Sequence, residues 1–78
     1  MKNSTILDQL KGELLGAIEL QMEKENISQG EVARRIGSLR NNVNRVLRGK
    51  GNASLDFLVK SAESVGLTVE MKIKKLKV

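Results

Sequence analysis

The chain contains no cysteine, histidine, proline, tryptophan or tyrosine, and its single aromatic residue is Phe57. Without cysteine there is no disulfide framework and no thiolate nucleophile; without cysteine and histidine the usual zinc sites and histidine-based triads are excluded as well. Carboxylates alone remain for catalysis, and no two of the nine acids stand in a recognisable constellation. An enzyme is therefore disfavoured, and neither a cofactor nor a metal is expected. No apolar run approaches the roughly 18 residues of a membrane span, and Asp8 and Glu13 interrupt the amino-terminal segment where a signal peptide would be purely apolar. The expectation is a soluble, cytoplasmic protein with no membrane contact.

What the chain does have is positive charge in one place. Its 78 residues carry a net charge of +5. Residues 1–27 hold three Lys against five acids, residues 28–51 hold six basic residues against Glu31 alone, and residues 52–78 hold five against three. A basic middle third predicts an anionic partner. The length suits one small domain, which buries only about 60% of the surface its unfolded chain exposes, so a partner subunit would add needed stability.

Helical periodicity broken by glycines runs through residues 1–66. Thr5 with Asp8 can open a first helix over about 5–25, in which Ile6, Leu7, Leu10, Leu14, Ile18 and Met22 form one apolar stripe expected to be core. Ser28 followed by Glu31 is a capping box for a second, shorter helix, which Gly37 can end in a left-handed conformation. Ser38 is the expected cap of a third helix closed by Gly49, and Ser54 that of a fourth over about 55–65 closed by Gly66. Two short helices about a glycine-centred turn, with small Ala33 at their crossing, make a helix-turn-helix over about 28–48.

In the third helix Val43, Val46 and Leu47 fall on one side, while Arg40, Asn41, Asn44, Arg45 and Arg48 fall on the other with no acid among them. Arginine can bond guanine O6 and N7 in bidentate fashion, and asparagine can do the same to adenine N6 and N7, so this face suits the base edges of a major groove. Ordinary solvated helix surfaces mix glutamate with lysine for i,i+4 support, which this one lacks. An RNA reader is disfavoured because single-strand recognition stacks bases on aromatic rings, and the only ring here is expected in the core.

Residues 27–67, ISQGEVARRIGSLRNNVNRVLRGKGNASLDFLVKSAESVGL, resemble the Xre family of helix-turn-helix regulators, which includes the lambdoid phage repressors and Cro proteins. The resemblance rests on Ser28-Gln29 opening the second helix, on Glu31, Val32 and Ala33 within it, on Gly37 at the turn, on Val43, on Gly49-Lys50, and on Ser54-Leu55. It implies a mainly α, four- to five-helix bundle of the lambda-repressor kind that binds double-stranded DNA. It also implies base-reading positions at Arg40, Asn41, Asn44 and Arg45, and phosphate contacts from Gln29, Ser38, Arg48, Lys50 and Asn52. Two positions depart from the family pattern: Leu47 stands where an acid often pairs with a basic residue of the first helix, here Met22, and Ala53 stands where proline is common.

Residues 67–78 change period. Leu67, Val69, Met71 and Ile73 alternate with Thr68, Glu70, Lys72 and Lys74, the pattern of a half-buried strand. The expectation is an antiparallel pair with the same strand of a second subunit, centred on Met71, with Val69 opposite Ile73 and Glu70 opposite Lys72 across the dimer interface. This tail resembles that of the small Xre-type antidote proteins of toxin-antitoxin modules. The expected function is a dimeric DNA-binding repressor, with a toxin-neutralising antitoxin as the alternative and a toxin protein as its possible partner.

Overall fold

The computed structural model describes residues 6–49, 53–70 and 72–75. Four helices follow one another in it: α1 (Ile6–Glu25), α2 (Gln29–Ile36), α3 (Arg40–Leu47) and α4 (Leu55–Ser64). The expected opening cap of α1, Thr5, lies outside the described residues.

Local chemistry accounts for most helix ends. Ser28, in extended conformation, accepts the Glu31 backbone N–H on its Oγ at 3.1 Å, and Ser54 does the same for Phe57 at 3.1 Å. Each side chain satisfies one of the amide donors left over at a helix start. At the end of α2, Gly37 takes φ 72°, and the Ser38 N–H reaches back to the Ala33 carbonyl at 2.9 Å. That geometry is a Schellman closure, and glycine adopts it without the steric cost that a Cβ brings. α1 closes in the same way on Asn26, φ 57°, with the Ile27 N–H donating to the Met22 carbonyl at 2.8 Å. Asparagine is among the few side chains that tolerate this region.

Two local expectations need correction. The capping residue of α3 is Leu39 rather than Ser38, and it makes no side-chain cap bond. The Ser28 box is half formed: its hydroxyl caps the helix, but the Glu31 carboxylate turns to Arg34 and Arg35, whose guanidinium groups outbid a single backbone N–H.

Ile18 and Met22 of α1, Val32 and Ala33 of α2, Val43 of α3, and Leu58, Ala62 and Val65 in and after α4 are buried together. Each comes from the apolar side of its own helix, so the core sits where α1, α2 and α4 converge and α3 lies against α2. Leu47, Phe57, Leu67 and Val69 cover its margin. Leu47 thus packs against the cluster that holds Met22.

The stripe on α1 is only partly core. Leu14, Ile18 and Met22 are covered, whereas Ile6, Leu7 and Leu10 stand exposed. The helix is about 30 Å long at 1.5 Å per residue. The described residues extend 46 Å along their longest axis against 28 and 21 Å across it. One end of α1 therefore has no other helix to pack against.

The carboxy-terminal strand is also a correction: residues 67–70 and 72–75 are not in strand conformation. Leu67 and Val69 turn onto the core of their own chain, Thr68 and Glu70 face solvent, and Ile73 is 85% exposed. Period-two alternation here follows from laying a tail across a core, and among the described residues no strand supplies a ladder for its backbone groups. Met71, the expected centre of the pairing, lies outside the described residues, and Glu70 and Lys72 are solvent-exposed.

Candidate nucleic-acid interface

The capped start of α2 and the crossing of α2 with α3 decide what α3 presents. Val43 is buried and Val46 and Leu47 are half-buried, which anchors one side of α3 and leaves Arg40, Asn41, Arg45 and Arg48 exposed on the other. Asn44 is half-buried between them, and its Nδ2 donates to Gln29 Oε1 at 2.9 Å. This bond joins the middle of α3 to the first residue of α2. Gln29 and Asn44, for which the family resemblance implies phosphate and base contacts respectively, thus form one unit.

Arg40 bends toward the same place, since its Cδ would lie 3.9 Å from a Cβ added at Gly30. Gln29, Asn44 and Arg40 therefore gather at the junction of the two helices, and Asn41, Arg45 and Arg48 extend along the outer face. Ser38 is half-buried and bounds this surface at the turn. Lys50 and Asn52, assigned to phosphate contacts, lie outside the described residues.

Asn42 is a member of the surface that sequence reasoning missed. Its Oδ1 accepts from Arg45 Nη2 at 2.9 Å, and its Nδ2 stands 3.5 Å from Ser38 Oγ. The signal was present as i,i+3 and i,i+4 spacings, which place Ser38, Asn42 and Arg45 on one side of the helix. The contact aims Arg45 while leaving its charge uncompensated.

Electrostatics separates the arginines into two sets. Arg34 and Arg35 in α2 both bond Glu31, Arg35 through its Nε at 2.8 Å, and Arg35 also donates to the Ser64 carbonyl at 2.6 Å. The paired guanidinium groups, Arg34 first and then Arg35, hold the Glu31 carboxyl down from an ordinary 4.5 to about 2. Glu31 in turn raises the Arg34 guanidinium above its usual value. Among the described residues no acid pairs with Arg40, Arg45 or Arg48. Glu31 offsets one of the two positive charges of α2, whereas among the described residues those of α3 have no acid partner.

No helix of the described residues is long and apolar enough to cross a membrane. Among them no group of His, Cys, Asp or Glu is placed to hold a metal ion. No curated protein and no solved structure matches the chain. A family model described as a helix-turn-helix domain matches residues 1–74, nearly the whole length, including the α2–turn–α3 unit that carries the cationic face. The chain belongs to this helix-turn-helix domain family.

Proposed function

We propose that this protein is a sequence-specific double-stranded DNA-binding regulator of the Xre type that acts as a dimeric repressor by occluding a promoter, its own being the simplest target. The observation that carries the reading is the acid-free outer face of α3, whose arginines have no acid partner among the described residues while those of α2 share Glu31. In this reading Arg40, Asn41, Asn44 and Arg45 meet base edges in the major groove. Ser38, Arg48, Lys50 and Asn52 lie along the phosphates, and Gln29 holds Asn44 in place while facing the backbone. No catalytic step and no cofactor is assigned. Two half-sites about 34 Å apart ask for two copies of α3 related by a two-fold axis, which is the reason for a dimer.

Gel-shift titration on cognate and scrambled duplexes tests the assignment. Arg40→Ala should cost roughly 1 to 3 kcal/mol on the cognate site and little on scrambled DNA, while Lys50→Ala should weaken both. Affinity should fall with salt by a slope of about −0.9 per phosphate neutralised. Equal losses on both duplexes for Arg40→Ala would remove it from base reading, and a salt-independent affinity would remove nucleic acid as the partner.

A further inference from the structure

We infer that Asn42 is a positioning residue that commits Arg45 to a guanine of the bound duplex. This role deepens the DNA-binding reading above and rests on it, adding the base met at one position and the residue that fixes it. Asn42 Oδ1 accepts from Arg45 Nη2 at 2.9 Å, across the i,i+3 spacing that makes the two side chains neighbours. Of the outer-face arginines of α3, Arg45 alone is held in this way among the described residues.

Asn42 is placed to hold rather than to read. At 3.6 residues per turn it lies about 60° around α3 from Arg45, on the flank opposite Asn44. It is half-buried, beside the fully covered Val43, and its Nδ2 stands 3.5 Å from Ser38 Oγ at the turn. The amide therefore has a polar neighbour at each end, while Arg45 beyond it is exposed. Ordering so long a side chain costs rotamer entropy, and the bond to Asn42 meets part of that cost at folding rather than on DNA.

The bond also selects the base. A terminal guanidinium nitrogen carries two N–H groups, one on either edge of the fork, so Nη2 uses one on Asn42 and the opposite edge keeps a parallel pair of donors. In the major groove guanine meets such a pair with two acceptors, O6 and N7. Adenine sets its N6 donor against one of them, thymine offers O4 alone, and cytosine presents a donor. A donor left facing a donor away from water is costly. Asparagine achieves this aim without charge, whereas an acid at the same place would offset the positive charge that the phosphates attract.

The probe is a duplex selected by the wild-type chain from a random pool, with its guanines replaced one at a time by 7-deazaguanine, which pairs normally but lacks N7. Fluorescence anisotropy reads affinity and circular dichroism reads the fold. One guanine in each half-site should show a loss of about tenfold with wild type and none with Arg45→Ala. Asn42→Ala and Asn42→Leu, both good helix formers and the second close to asparagine in size, should keep the helix content and shrink that loss to about twofold, with losses at the other guanines unchanged. Asn42→Asp retains an acceptor, so it should keep the tenfold loss while binding every duplex, scrambled ones included, more weakly. A loss that depends on Arg45 yet persists in full without the Asn42 acceptor would overturn the positioning role. The absence of any guanine whose loss depends on Arg45 would overturn the base assignment. A wild-type chain that selects no duplex would instead sink the DNA-binding reading itself, which the two preceding outcomes leave standing.

Discussion

Asn44 on α3 donates its side-chain amide to Gln29 on α2 at 2.9 Å, so a residue of the proposed base-reading set is held by the residue that opens the preceding helix. A side chain fixed by a hydrogen bond loses less entropy on meeting a base edge than a free one.

Gln29→Ala should therefore impair cognate DNA binding even if Gln29 touches no base. Each of Gln29→Ala and Asn44→Ala should cost about 1 to 3 kcal/mol on the cognate duplex, and the double variant clearly less than the sum. Strict additivity in a double-mutant cycle measured by fluorescence anisotropy would show that the two act separately.

Glu31 makes a prediction about acid. Its folded value of about 2 lies below its ordinary 4.5, so its pairing with Arg34 and Arg35 stabilises the fold fully above about pH 4.5. That contribution is lost as pH falls from there toward 2. Urea midpoints of wild type and Glu31→Gln should differ at pH 7 and converge near pH 2; a gap that persisted at pH 2 would mean the carboxylate is not the source.

The same substitution should act on DNA in the opposite direction. Glu31→Gln releases two guanidinium groups and adds one net positive charge, so affinity for scrambled duplexes should rise and its salt dependence steepen. An unchanged salt slope would place Arg34 and Arg35 away from the phosphates.

Leu39 holds the cap position of α3 without a capping side chain and is 68% exposed. Leu39→Ser, at φ −91° and ψ 146°, should gain about 1 kcal/mol of stability because an oxygen becomes available to the orphan amides and little packing is lost. A denaturation midpoint equal to or below that of wild type would indicate that Leu39 makes contacts its exposure does not suggest.

Gly12→Ala and Gly16→Ala should each raise stability by up to about 1 kcal/mol, since both sit within α1 with open space where the methyl would go. Thermal melts at fixed protein concentration read this directly. Destabilisation by either would reveal a close approach to that side of the helix.

Features governed by neighbours in sequence were legible in the residues themselves. Serine caps at Ser28 and Ser54 and the left-handed closure at Gly37 depend on a few bonds within one turn, and the helical period of α2, α3 and α4 reports which side of each meets the core. The cationic face of α3 could be read in the same way, because an eight-residue helix with three apolar positions has one orientation that buries them.

Features for which local partners compete, or which depend on distant ones, were not legible. Ser38 and Leu39 offered two caps for one helix, and the turn geometry that bonds the Ser38 N–H to Ala33 put the later residue in the cap position. Glu31 could serve a backbone amide or two guanidinium groups, and the stronger charged donors took it. The alternating tail reads equally as a strand or as a cover, and only the position of the core shows that Leu67 and Val69 lie on it. An apolar stripe on α1 records only which side is hydrophobic; how far along that side α2 and α4 reach is fixed by the packing of the whole chain, and they stop short of Leu10. The sequence by itself therefore determined the helices, most of their caps and the charged face of α3, because these rest on contacts a few residues apart. Tertiary structure decided the Gln29–Asn44 tie, the contact of Arg35 with the Ser64 carbonyl and the bare end of α1, because each depends on how distant parts of the chain pack.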